Sequence, residues 1–406
     1  MFKRFRSISG DIQSTRHLAA DHLPCATKAL PSQKLVYYSN IKKIPLHIII
    51  LLCTFAFIGL MNMYSISLTK SPIYFQKFLI FWVISIVPLV IIPIINLRYF
   101  IKFSYIVYIA SVLLLVAVLL AGDTSMGARR WIDIGFRFQP SELAKVAVIL
   151  VVARHYHFMK TFSMYNLVHI GVVCVCMAIP SALIILQPDL GSALIIVFIT
   201  CIMIFANGIK WRWIILMIVG FALTVPIVWK NLHGYQKNRI LTFMNPERDP
   251  YGAGYNVIQS KIAIGSGGLF GKGYTKNDQS SLKFLPENQT DFAFTVFAEE
   301  FGFVGSVVLL LLFLYLILYG MLVSQRSESY FGKMFALGIT SLLFLHICIN
   351  LMMIMGLLPV VGIPLPFISY GGSSLLLCVS CVAVLMNIDI NRNIVIQSSV
   401  STYMLK

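Results

Sequence analysis

Asp291 is one of only 15 acidic residues in a chain of 406. It follows Pro286-Glu287-Asn288-Gln289-Thr290 directly and opens a long apolar run. A carboxylate placed there is a candidate for chemistry. It could equally favour the helix dipole from the first turn, a gain of about 0.3–1 kcal/mol. The stripe below it at helical spacing is Asp291, Thr295, Ala298, Gly302 and Gly305. Small residues permit close helix packing, which turns Asp291 toward the bundle rather than the lipid. An ionisable residue facing a cavity at membrane level is a candidate for function.

Other polar residues gather around the same region of the chain. Arg129, Arg130 and Trp131 lie in a loop before Gln139-Pro140-Ser141-Glu142-Leu143-Ala144-Lys145. Trp131 could be an interfacial anchor, or the lip of a lipid or sugar site with the two arginines facing phosphate. Asp189, after Pro188, could cap a helix or contact a ligand. Glu299 and Glu300 lie eight and nine residues beyond Asp291, about 12–14 Å deeper on a straight helix. Two adjacent acids cannot share one helix face, so at least one needs its own partner. Lys145, the one cation set within a span, is a candidate, although Glu142 and Lys145 are three apart and could pair with each other. The stretch from Lys230 to Thr290 carries Arg239, Lys261 and Lys272, a predicted amphipathic helix over 256–264, and the glycines 265, 267, 268, 271 and 273. Glycines and cations together suggest a phosphate-facing surface. No cage of acids for a metal ion is visible, and a divalent cation could act only as a shared partner of phosphate.

The elements that must position these residues are membrane helices. The chain is 58% hydrophobic and 12% charged, with a mean hydropathy of +0.85, whereas soluble domains carry about 25% charged residues. Apolar runs at 46–66, 77–97, 99–121, 141–158, 166–186, 189–207, 212–229, 291–320, 332–357 and 366–388 predict an all-α, polytopic membrane protein of about ten spans. A large outer loop separates spans seven and eight. The runs do not alternate as barrel strands do. The eight cysteines lie in the N-terminal tail or in apolar runs, so no disulfide framework is expected. Prolines and glycines over 364–374 predict broken helix lining a cavity.

The net charge of +17 would suggest nucleic acid in a soluble protein, but here it reads first as topology. Eight basic residues precede the first span and place the N-terminus in the cytoplasm; an even number of spans returns the C-terminus there. This divides the chain into a basic tail (1–44), a membrane domain (45–390) and a short C-terminal tail (391–406). Thirteen cations remain for the outer loops, around Asp291. A lipid transporter is the competing reading of such an architecture, and it would place its polar groups near the midplane.

Several strings resemble the SEDS family (shape, elongation, division and sporulation), the membrane glycosyltransferases that include RodA and FtsW. They are GARRWIDIG with FQPSELAK (127–145), QPDLG (187–191), NRILTFMNPERDPYGAGYNVIQSKIAIGSGGLFGKG (238–273), FLPENQTDFAFTVFAEEFGFVG (284–305) and LPVVGIPLPFISYGGSSL (358–375). QSKIAIGSGG and FLPE are nearer the RodA branch. The chain departs from that branch in having Asn288 and Gln289 before the acid. The resemblance implies polymerisation of lipid II, with Asp291 as the proposed catalytic acid and Trp131 as an important tryptophan. On that reading Arg129, Arg130, Arg239, Lys261 and Lys272 are candidates to neutralise a pyrophosphate. It also implies location in the bacterial inner membrane and a class B penicillin-binding protein as partner, among other elongation-complex membrane proteins. No nucleic acid is expected.

Overall fold

The computed structural model describes residues 44–396 apart from 70, 126–127, 134–136, 160–166, most of 209–252, 277–288 and 395. The helices are α1 (Leu46–Thr69), α2 (Pro72–Ile91), α3 (Leu97–Ala121), α4 (Pro140–Phe158), α5 (Leu167–Leu186), α6 (Leu190–Ala206), α7 (Ala253–Ser266), α8 (Ala293–Arg326), α9 (Tyr330–Ile354) and α10 (Gly372–Ile390). Nine of the ten predicted spans therefore fall on helices, and the seventh, 212–229, lies outside the described residues. Among those residues, seven helices are long and apolar enough to cross a membrane: α1, α2, α3, α5, α8, α9 and α10. The shorter α6 is apolar too.

Local chemistry explains the boundaries. Pro72 and Pro140 occupy first-turn positions where a missing N–H costs nothing. Asn96 caps α3 by accepting from the Arg98 N–H at 3.0 Å. Pro88 lies inside α2, which runs out in a 3-10 turn at Ile92–Ile94. The Asn387 amide donates to the carbonyls of Ile92 (2.8 Å) and Ile95 at that frayed end.

Burial separates the layers. In α10, 78% of the span is buried, against 17% in α2. Away from their ends, α2, α3 and α5 expose large apolar side chains such as Val83, Leu113 and Val175, as a surface facing lipid requires. α4 is buried along most of its length although it carries Glu142, Lys145 and Arg154. It packs against α3, α6 and α9.

Two features depart from plain helix. A small antiparallel sheet, β1 (Asp123–Ser125), β2 (Ala128–Asp133) and β3 (Arg137–Phe138), joins α3 to α4. Its register pairs Asp123 with Trp131 and Ile132 with Phe138. The apolar runs gave no hint of these strands. The second is the non-helical segment 359–371 between α9 and α10, as its prolines and glycines predicted. Its Phe367 is buried at φ 67 and stacks on Phe55 of α1 at 5.0 Å, which itself stacks on Phe313 of α8 at 4.9 Å. Phe55 is 14 residues from the C-terminal end of α1, so this segment dips about 21 Å below that end.

Candidate active site

A cavity of about 120 Å³ opens where α4, α6, α8 and α10 begin. Gln139 lines it just before α4 and Glu142 from within that helix, Ser192 from α6, Thr290 and Asp291 from the turn into α8, and Ser373 and Ser374 from α10. Trp131 on β2 forms part of its wall, and Gly362, Pro364 and Tyr370 of the dipping segment form another part. Each helix N-terminus carries the equivalent of about half a positive charge, and four of them converge here. Free N–H groups and positive dipole ends make such a place receptive to anions.

Asp291 sits in the turn before α8, and α9 anchors it. The Asn350 amide donates to the carbonyl of Asp291 at 2.9 Å and to that of Ile363 at 2.7 Å. One side chain thus ties the acid to the dipping segment, and the Tyr370 N–H adds a second tie to the carbonyl of Gln289 at 2.8 Å. Gly362, at φ 80, lies against the acid: a Cβ there would stand 3.6 Å from Oδ2 of Asp291. Asn62 of α1 donates to the carbonyl of Ala293 at 3.1 Å.

Glu142 and Lys145 pair with each other, Nζ to Oε1 at 2.7 Å. Lys145 is 1% exposed and Glu142 is 6% exposed. His346 of α9 completes a buried triad, its Nε2 lying 3.0 Å from Nζ of Lys145.

The position of Glu299 and Glu300 corrects the straight-helix expectation. α8 breaks at Gly302 (φ 66, ψ −159). Continued straight from Phe313, the helix would carry Ala293 about 30 Å up, well past the end of α1. Instead the arm 293–301 folds back, with Ala293 beside Asn62 and Glu300 beside Ser65. Glu300 is therefore about one helical turn nearer the C-terminal end of α1 than Ala293 is, not deeper than the acid. The backbone freed by the break bonds to the strap that follows α7. Lys272 and Gly273 donate to the carbonyls of Glu299 (3.0 Å) and Glu300 (3.2 Å), and Phe303 and Val304 donate to those of Gly268 (2.9 Å) and Leu269 (3.1 Å). The glycine-rich segment thus serves α8 rather than an anion, and Gly267 and Gly271 admit the close approach. Lys272, not Lys145, is the partner of Glu299, at 2.6 Å. Glu300 accepts from the Ser65 hydroxyl and from the Thr275 N–H. Neighbouring Tyr274 is pushed up by burial and by Glu300.

The structure brings Asp291, Trp131, Glu142 and Lys145 to one cavity and leaves other predicted residues outside it. Lys272 holds Glu299, and Lys261 on α7 is exposed beside Gly356. Neither lines the cavity. Arg130 clamps the turn before α6 by donating to the carbonyls of Gln187 (3.3 Å) and Pro188. Asp189 caps α6, accepting from the Ser192 N–H, and also accepts from Gln139, both at 3.3 Å. The side chains of Arg129 and Arg239 lie outside the described residues. His346 and Asn350 were missed, although a His and an Asn four apart in an apolar span are a legible signal. Among the described residues, no three His, Cys, Asp or Glu side chains gather as a metal site would require.

Comparison with known proteins identifies the family. Residues 45–394 match the model of the FtsW/RodA/SpoVE family, described as cell cycle proteins. The peptidoglycan glycosyltransferase MrdB of Escherichia coli K12 is 44% identical over 293 residues, covering 72% of this chain and 79% of that one. MrdB of Helicobacter pylori J99 is 36% identical over 331 residues, covering 80% and 83%. A solved peptidoglycan synthase complex, described as coordinating polymerization and crosslinking, contains a chain with TM-score 0.75 and 28% identity, covering 86% of this chain and 98% of that one. The rod shape determining protein RodA of Thermus thermophilus matches with TM-score 0.66 and 26% identity, over 86% and 98%. With its matched region running from the first span past the last, this chain belongs to the FtsW/RodA/SpoVE family of cell cycle proteins.

Proposed function

We propose that this protein is a peptidoglycan glycosyltransferase that polymerises lipid II at the outer face of the bacterial inner membrane, during cell elongation and shape maintenance. Asp291 accepts the proton of the acceptor sugar's 4-hydroxyl while that oxygen attacks the donor's anomeric carbon. The bond from that carbon to the pyrophosphate oxygen breaks, and undecaprenyl pyrophosphate leaves with the electron pair. The donor already carries a good leaving group, so a single base suffices and no covalent enzyme intermediate is needed. Lys145 and the four helix N-termini stabilise charge developing on the pyrophosphate. Trp131 offers an aromatic wall to a sugar, and Arg129 and Arg239 are further candidates for phosphate. A divalent cation would be held chiefly by the substrate's own phosphates, since Asp291 serves as the base and Glu142 is engaged by Lys145.

The observation that carries this reading is the meeting of a carboxylate, a buried ammonium and four helix N-termini in one cavity. The tails, 1–44 and 391–406, lie in the cytoplasm on this reading, in keeping with the basic residues before the first span. A class B penicillin-binding protein is the proposed partner, as the related synthase complex couples polymerization to crosslinking.

Purified protein given labelled lipid II should make glycan strands. A general base contributes about 10²–10⁴-fold, so Asp291→Asn should lose at least about 100-fold in kcat while keeping its melting temperature. Normal polymer from that variant would remove Asp291 as base. Scrambling of the lipid in liposomes without polymer would favour the transporter instead.

A further inference from the structure

The buried triad contains a member that the glycosyl-transfer reading does not use. His346 is 1% exposed, and its sequence neighbours on α9, Leu345 and Ile347, are apolar. An ammonium donates and never accepts, so the 3.0 Å contact between Nζ of Lys145 and Nε2 of His346 requires Nε2 to be the acceptor. The ring proton then sits on Nδ1, which is buried and has no hydrogen-bond partner among the described residues. Leaving a buried N–H unsatisfied is costly, and an apolar residue at 346 would avoid that cost. The arrangement instead keeps an acceptor aimed at Lys145. Glu142 and His346 together engage two of the ammonium's three N–H bonds. Lys145 lines the cavity that holds Asp291.

We propose that His346 is a positioning residue: by accepting from Lys145 it directs the remaining N–H of the ammonium into the cavity. Without that acceptor the ammonium turns toward Glu142 alone, and its alignment with the departing pyrophosphate is lost. The pyrophosphate gains a further negative charge as the bond breaks, so the loss falls more on kcat than on substrate binding. This inference rests on the reading of the cavity proposed above.

The test compares initial rates over a lipid II concentration series for the full-length wild type, Asp291→Asn, His346→Leu and His346→Gln. Leucine keeps much of the volume without an acceptor, and glutamine restores one. His346→Leu should lower kcat tenfold or more with KM changed less than about threefold, and His346→Gln should return kcat to within about threefold of wild type. Melting temperatures on the same preparations separate folding from rate, because a purely structural role moves stability and leaves kcat per folded molecule unchanged. His346→Leu at wild-type kcat, or His346→Gln as slow as His346→Leu, overturns the inference. If His346→Leu yields no folded protein, His346→Ala with added imidazole replaces it: recovery of kcat supports the inference, and wild-type kcat without imidazole overturns it. An Asp291→Asn enzyme as active as wild type overturns the reading of the cavity and this inference with it. An inactive Asp291→Asn beside a fully active His346→Leu overturns this inference alone.

Discussion

Replacing Gly302 by alanine tests how α8 is built. Gly302 lies at φ 66, ψ −159, a region open essentially to glycine alone, and occupying it with a side chain costs about 1–3 kcal/mol. A Cβ would also stand 2.3 Å from the backbone nitrogen of Gly271 and 2.8 Å from the carbonyl of Leu269. Those are main-chain atoms, so no rotamer change relieves the clash and the strap must move. Its departure breaks the four hydrogen bonds made by the N–H groups of Lys272, Gly273, Phe303 and Val304, each worth about 0.5–1.5 kcal/mol net. The combined loss is about 3–9 kcal/mol, a large share of the 5–15 kcal/mol typical of a folded protein. Gly265→Ala is the control, because that position lies on α7 with nothing within 4 Å of the added methyl. It should be neutral or stabilising by up to about 1 kcal/mol. Thermal unfolding in detergent measures both variants, and hydrogen exchange at residues 268–273 shows whether the strap has detached. A Gly302→Ala protein melting with the wild type, its strap amides still protected, would refute the assignment of the break.

Three further outcomes follow from the same packing. Lys145→Met leaves the Glu142 carboxylate buried without its ammonium and should cost about 3–5 kcal/mol; adding Glu142→Gln should recover much of this, as denaturant titration would show. Lys272→Met strips Glu299 of its ion pair, but Lys272 is 28% exposed, so the loss should be only about 1–2 kcal/mol. Lys261→Met, an exposed position on α7, should melt within about 0.5 kcal/mol of wild type. Asn350→Leu removes the donor to both Asp291 and Ile363. It should cost about 2–6 kcal/mol and cut polymerisation, seen by unfolding and strand-synthesis assays together.

The spans were legible because lipid forces every backbone group to find its partner within the helix, which leaves long apolar runs in the sequence. Asp291 was legible because so few acids compete for notice. The fold-back of α8 was not. Gly302 and Gly305 in an apolar run read equally well as a packing stripe, and only the strap 30 residues earlier distinguishes a break from a smooth helix. For the same reason Glu299 could not be matched to Lys272: their pairing depends on where the chain turns after α7. Strands as short as β1 and β3 owe their register to the turns between them rather than to their own residues. His346 and Asn350 carry no fixed charge to mark them in an apolar span, and their contacts are hydrogen bonds to groups far away in sequence.

The convergence of four helix N-termini bears on turnover. Cleavage of the donor frees an oxygen of the pyrophosphate, so that group departs with more negative charge than it carried in the donor. Lys145 and the helix N-termini at the cavity attract that added charge and so hold the product's pyrophosphate more tightly than the donor's. On the proposed chemistry, catalytic cycles are then paced by the escape of undecaprenyl pyrophosphate, and the first bond forms faster than the steady rate. Rapid mixing should show this as a burst of one linkage per enzyme molecule, followed by a slower steady rate set by release from the cavity.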